Sequence, residues 1–194
     1  MMKYAWNVIL LLFAPLLFAQ TQDSVLSDYA RQISEVKTLT SHFTEQKHLS
    51  LLSAPIESAG ELAFDKAKQT LLWQYKTPFQ NGFIIEKENV YRVDGNTKTR
   101  VKDTMGKMMA AQLVVWLTLD FNSLKQTYEI ALRGREITFT PRAKTHKVVK
   151  QITVSLDEKN PQIVTQVKLE EPGGDFIVWQ FTDTRINPPA QETL

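Results

Sequence analysis

The spacing of apolar residues along this chain changes several times, and each change marks an element. Val8, Ile9, Leu10, Leu11, Leu12 and Phe13 begin an unbroken apolar run that continues to Phe18. Lys3 lies ahead of it, and Ala19 precedes the polar stretch Gln20-Thr21-Gln22-Asp23. A basic start, a short apolar core and a small residue before polar sequence describe a secretory signal peptide, expected to be cut after Ala19. Pro15 interrupts the run, which is short for a bilayer span of about 20 residues. Leu26, Tyr29, Ile33 and Val36 then recur at intervals of three and four behind a capping Asp23 or Ser24. This predicts a helix over 24–37 whose single apolar face covers a sheet.

From Thr38 the period is two. Leu39, Ser41 and Phe43 lead a strand expected to reach Leu51, and Pro55 breaks the chain before the next. Gly60 opens a strand with Leu62 and Phe64 on one side. Leu71, Trp73 and Tyr75 alternate with Leu72, Gln74 and Lys76 up to Thr77-Pro78. Phe83 and Ile85 lie in the strand Gly82 to Glu86. Val90 to Val93 and Thr97 to Val101 flank the hairpin turn Asp94-Gly95-Asn96. Tyr128, Ile130 and Leu132 pair through Arg133-Gly134-Arg135 with Ile137 and Phe139. Strands follow at 148–156 and from Ile163 to Leu169. After the turn Pro172-Gly173-Gly174-Asp175, a last strand points Ile177, Trp179 and Phe181 inward. Successive strands joined by short turns make an antiparallel meander. So many strands must curl into a sandwich or a barrel, because long flat edges invite aggregation.

Residues 103–118 interrupt this pattern. Behind Asp103 or Thr104 as N-cap, Met105, Met108, Met109, Gln112, Leu113 and Trp116 follow helical spacing. Methionine is flexible and polarizable and suits surfaces that adapt to their partners. Such a helix between strands is either a lid over an apolar cavity or a plug at one end of the sheet; stripes of this kind are usually core.

The chain has 194 residues with 23 basic and 21 acidic side chains, scattered rather than clustered, and its net charge of +2 falls by one if Lys3 leaves with the signal. That balance excludes an electrostatic footprint for nucleic acid and a polybasic membrane tether. Residues 20–194 are enough for one self-supporting domain. The absence of cysteine removes a lipid-anchoring lipobox and a disulfide framework. No Gly-x-Ser-x-Gly, His-Glu-x-x-His or phosphate-binding glycine loop is present. His42 and His48 share a strand face without an acidic third ligand, and Glu170, Glu171 and Asp175 flank a turn where solvated charge is the usual reason. The pattern predicts an exported β-rich protein that binds something apolar, with no catalytic motif and no metal site.

Several motifs occur in a family-like order. Phe43-x-x-Gln46-Lys47, Gly60-Glu61-Leu62-x-Phe64, Leu71-Leu72-Trp73-Gln74-Tyr75-x-x-Pro78 and Phe139-x-Pro141, with the signal, the first helix and the mid-chain helix, resemble the periplasmic lipoprotein carrier family LolA. The resemblance spans essentially the whole mature chain. It implies an incomplete antiparallel β-barrel, a curved sheet covered by a helical lid as in LolA and LolB-like proteins. It also implies a non-catalytic, cofactor-free role in the periplasm of a Gram-negative bacterium. Such carriers take acylated lipoproteins from an inner-membrane ABC exporter, shield their acyl chains and pass them to an outer-membrane acceptor. A monomer is expected. The family usually carries an Arg-Pro pair shortly before the tryptophan of the Leu-x-Trp strand, and that arginine helps to hold the lid. Here the stretch is Lys66-Ala67-Lys68-Gln69. Lys66 or Lys68 is the candidate substitute, although a lysine lacks the planar fork of an arginine. The departure leaves three readings: a lipoprotein carrier, a paralogue carrying another lipid-linked product such as a glycolipid or pigment-type conjugate, or an envelope scaffold that binds nothing.

For a carrier, the cavity candidates are Phe43, Leu62, Phe64, Leu71, Trp73, Phe83 and Ile85 from strands, with Met105, Met108, Met109, Leu113 and Trp116 from the lid. An acyl chain gains about 0.8 kcal/mol per CH₂ on leaving water, so a long chain is held firmly. A lid that packs on the same surface when empty competes with it and keeps binding reversible.

Overall fold

The structure is a computed structural model that describes residues 15–87, 89–102, 121–142 and 149–188. Helix α1 (Pro15–Ser34) is followed by β1 (Thr38–His48), β2 (Ile56–Asp65), β3 (Thr70–Thr77), β4 (Asn81–Glu86), β5 (Asn89–Asp94) and β6 (Thr97–Arg100). Then come a short helix α2 (Phe121–Thr127) and strands β7 (Tyr128–Arg133), β8 (Glu136–Pro141), β9 (Gln151–Leu156), β10 (Val164–Glu170) and β11 (Phe176–Ile186). The expected helix over 103–118 lies outside the described residues.

All eleven strands form one sheet in the order β6-β5-β4-β3-β2-β1-β11-β10-β9-β8-β7. Every pairing is antiparallel. The sheet is therefore two meanders joined where the first strand meets the last. It is an open curved sheet, the incomplete barrel implied by the family resemblance, and not a two-sheet sandwich.

Boundaries differ from the periodicity in ways that have local causes. β1 stops at His48 because the chain turns there: Leu52 N donates to Leu49 O at 2.9 Å and Ser50 N to the Asp175 carboxylate at 2.7 Å. Helix α1 begins ahead of the expected cut after Ala19 and ends at Ser34, before the expected 37. Its predicted face is otherwise as the spacing requires: Leu26, Ile33 and Val36 are buried and Tyr29 half-buried. Helix α2 has no counterpart in the periodicity reading.

The apolar interior divides in two. Under α1 and α2, Leu26, Ile33, Phe121 and Leu124 pack on Tyr128, Ile137, Phe139, Ile152, Val154 and Leu156. Phe121 stacks on Phe139 with ring centres 6.3 Å apart. The other cluster lies under β1 to β5.

The C-terminal end of α1 is held by polar groups from distant parts of the chain. Lys66 Nζ donates to the Ser34 carbonyl at 2.8 Å. This satisfies one of the orphan carbonyls of the last turn with a cation where the helix dipole favours one. Asn187, at the end of β11, accepts from Lys37 N at 2.7 Å and Thr38 N at 3.1 Å. It adopts φ 50°, a left-handed conformation that asparagine tolerates better than most residues. Lys68 instead pairs with Asp65 at 3.1 Å within the β2–β3 turn. Hydrogen bonds from the Lys68 backbone and side chain hold the Asp65 carboxyl below its ordinary range.

Gly60 sits where the β2–β3 register slips. A Cβ there would lie 2.1 Å from the Gln74 carbonyl oxygen and 2.7 Å from Phe43 Cζ. Gly60→Ala is therefore expected to lower stability by about 1–3 kcal/mol through overpacking, read from urea denaturation. Lys66→Ala, which removes one exposed helix-end contact, is expected to cost about 0.3–1 kcal/mol in the same assay.

Candidate functional site: an aromatic face with an embedded carboxylate

Alternation along β1 to β4 turns every second side chain to the same face, and the ladder aligns them in rows. Phe64, Leu71, Ile85 and Val90 form one row; Leu62, Trp73 and Phe83 form the next. Phe43, Gly60 and Tyr75 form the third. The seven strand residues expected to line the cavity thus meet in a single cluster. Phe43, Leu62, Leu71, Trp73 and Ile85 are buried, and Phe64 and Phe83 are partly buried against them. Trp73 is the hub: its ring centre lies 4.5 Å from Phe43, 6.2 Å from Phe83, 6.3 Å from Trp179 and 6.2 Å from Phe181. Met105, Met108, Met109, Leu113 and Trp116 lie outside the described residues. Lys66 reaches the end of α1, whereas Lys68 stays within its own turn.

Trp179 and Phe181 were legible as inward-facing, but their membership of this face depends on the pairing of β1 with β11. Tyr75, Leu39 and Val101 also join the cluster. The residue that periodicity missed is Glu45. It stands two positions after Phe43 on β1, and so on the apolar face, directly opposite Trp179. Its Oε2 accepts from the Tyr75 hydroxyl at 2.5 Å and from Trp179 Nε1 at 2.6 Å. Tyr75 reaches it across β2 because Gly60 has no side chain to stand between them; the Tyr75 ring meets Phe43 edge-on at 5.2 Å. For Glu45 the sequence offered only its step of two from Phe43, on a strand face that also carries Ser41 and Lys47.

This polar group is held in an apolar setting. Burial, then the hydrogen bond to Glu45 and its negative charge, push the Tyr75 hydroxyl far above the ordinary tyrosine range. The indole N–H groups of Trp73 and Trp179 act weakly in the opposite direction. Of those two indoles, Trp179 makes a hydrogen bond of ordinary geometry, while Trp73 Nε1 is buried without one among the described residues.

One end of the sheet carries exposed apolar side chains. Leu51 (95% exposed) and Leu52 in the β1–β2 turn lie at the same end as Ile56 and as Phe79 (73%) in the β3–β4 turn. Asp175 ties this end to the β10–β11 turn. Hydrogen bonds from Ser50, with a smaller effect from the Lys47 charge, hold its carboxyl below the ordinary range.

The Tyr75 shift has a testable sign. The folded state keeps the phenol protonated where the unfolded chain loses the proton, near pH 10. Its contribution is complete below that pH and is lost as pH rises above it. In urea denaturation between pH 8 and 11, Tyr75→Phe is expected to be about 1 kcal/mol less stable at pH 8 and to lose less stability than the parent on going to pH 11.

A family model described as outer membrane lipoprotein carrier protein LolA matches residues 34–194. No curated protein sequence matches the chain. Among solved structures, MucB is similar at 14% identity with a TM-score of 0.54, over 88% of this chain and 62% of that one. The Pseudomonas aeruginosa MucA/MucB complex is similar at 16% identity and 0.53, over 86% and 59%. The chain therefore spans less than two thirds of those chains. Lipoprotein LppX of Mycobacterium tuberculosis is similar at 12% identity and 0.50, over 86% of this chain and 97% of that one. At such identities these likenesses concern the fold, and they agree with the open curved sheet. The family model, matching from the end of α1 through the whole sheet, decides the relationship: the chain belongs to the LolA family of outer membrane lipoprotein carrier proteins.

Proposed function

We propose that this protein is a non-catalytic periplasmic carrier that shelters the acyl chains of a lipid-linked cargo against the aromatic face of β1 to β5 and β11. The observation that carries the reading is the cluster around Trp73. Phe64, Phe83, Trp179 and Phe181 remain only partly buried there, while the other half of the sheet is filled by α1 and α2. Large apolar side chains that are not fully covered are what an acyl chain needs: each methylene placed on them gains about 0.8 kcal/mol. Family membership supports an acylated lipoprotein as the cargo, received from an inner-membrane exporter and given to an outer-membrane acceptor. A second reading, a carrier of another lipid-linked conjugate, is favoured by one observation. Where the family usually has an Arg-Pro pair this chain has Lys66-Ala67-Lys68-Gln69, and of the two candidate lysines Lys66 is the one bound to a carbonyl of α1.

The test is mass spectrometry of the protein purified from its native periplasm, combined with displacement of a fluorescent acyl probe. A co-purified triacylated lipoprotein supports the first reading, and a different lipid conjugate supports the second. Phe83→Ala is expected to weaken probe binding about ten-fold (~1.4 kcal/mol) while the protein stays folded. An empty protein that also refuses acyl probes would overturn both readings in favour of a scaffold.

A further inference from the structure

The apolar face contains one feature that a surface for hydrocarbon alone does not need. Glu45 projects from β1 among Phe43, Tyr75 and Trp179, and both of its protein donors engage the same oxygen, Oε2. Neither donor is a cation, so no positive charge in these two contacts offsets the half-buried carboxylate, and a second anion placed beside it on this face is disfavoured. Oε1 has no partner among the described residues. The next residue on this face of β1, Lys47, already acts on Asp175 at the rim. Close by, Trp73 Nε1 is buried with no hydrogen bond of ordinary geometry among the described residues, and it lies near the Tyr75 hydroxyl that Glu45 holds. A carboxylate acceptor and a buried indole donor thus lie together beside the proposed acyl-binding surface.

We propose that Glu45 selects the head of the cargo: its free Oε1 accepts a hydrogen bond from a hydroxyl or amide N–H next to the acyl chain, Trp73 Nε1 serves the adjoining carbonyl, and phosphate or free carboxylate heads are excluded. The inference rests on the carrier reading. A purely structural role for Glu45 would be met by its two bonds to Tyr75 and Trp179 and would leave head-group preference untouched. Glu45→Gln separates the two roles, because its amide oxygen still accepts from both donors while the charge is gone.

The experiment uses three probes with the same sixteen-carbon chain, palmitoyl ethanolamide, monopalmitoylglycerol and palmitate, each displacing one fluorescent acyl probe at pH 8. The parent protein is expected to bind the two neutral probes at least about ten-fold more tightly than palmitate (~1.4 kcal/mol). In Glu45→Gln that ratio is expected to collapse to within about two-fold (~0.4 kcal/mol), mainly because palmitate binds better. Tyr75→Phe, which leaves the charge in place, is expected to keep the preference. Equal binding of all three probes by the parent protein overturns the inference and leaves the carrier reading standing. A preference that survives in Glu45→Gln also overturns it. If no probe binds the parent protein, the carrier reading fails and the inference with it. If the Gln variant does not fold, equal binding of the three probes by the parent protein still overturns the inference.

Discussion

Everything in this structure depends on the pairing of β1 with β11. These strands lie near opposite ends of the chain yet sit side by side in the middle of the sheet, from Leu39 opposite Ile186 to His48 opposite Phe176. Without that ladder the molecule is two separate meanders, each with an additional unpaired edge. With it, Trp179 and Phe181 are placed beside the Trp73 cluster and Trp179 opposite Glu45. A slip of one residue would turn all of these side chains to the other face. The register is pinned by an irregularity between Thr40 and His42, where Asp183 adopts φ 52°. Ser41, only 5% exposed, supplies the polar partners that the interrupted ladder leaves over. Its hydroxyl contacts the Thr182 carbonyl at 3.1 Å and Thr184 Oγ1 at 2.8 Å. A bulge of this kind adds local twist, which suits a sheet that must curve around its contents.

The two halves joined by that ladder have different physical tasks. The half from β7 to β10 is closed by α1 and α2 and reaches complete burial at Ile137 and Phe139, both 0% exposed. It is an ordinary core and contributes stability independent of any ligand. The half from β1 to β5 is built of larger, flatter side chains around Trp73, several of them incompletely covered. Rings present much contact area at the cost of few rotatable bonds. Such a surface accepts a flexible chain without losing much order of its own. The end of α1 is fastened to both halves, through Lys66 from the β2–β3 turn and Asn187 from β11.

Local periodicity was enough to find the strands and seven residues of the aromatic face, because a period of two reports which side chains share a side. It does not report which strands are neighbours. The donors to Glu45 are 30 and 134 residues away, so the carboxylate looked like any charged strand position until the sheet order was known. Gly60 was visible as part of a motif, but its reason is three-dimensional: the Phe43 ring and the Gln74 carbonyl occupy the space a side chain would take. Lys66 and Lys68 were equivalent in the sequence, and only the position of the α1 terminus distinguishes them. Helix α2 escaped because seven residues offer two turns and only one spacing, Phe121 to Leu124, to read. Its stability comes from packing on Phe139 and Tyr128 and not from propensity.

A carrier differs from a store in having to let go, and the composition of this face bears on that. Ten methylenes moved from water onto it would gain about 8 kcal/mol, equivalent to a micromolar dissociation constant before the costs of ordering the chain. A longer or multiple acyl tail on a purely apolar face would be held too firmly for transfer. Placing a carboxylate within the face limits this in two ways. It interrupts the area available to hydrocarbon, and on the proposed reading it makes full affinity conditional on a head group that can satisfy it. On the proposed reading, recognition resides in one carboxylate whose position is set by Tyr75, Trp179 and the absence of a side chain at Gly60, while the bulk of the binding energy stays unspecific.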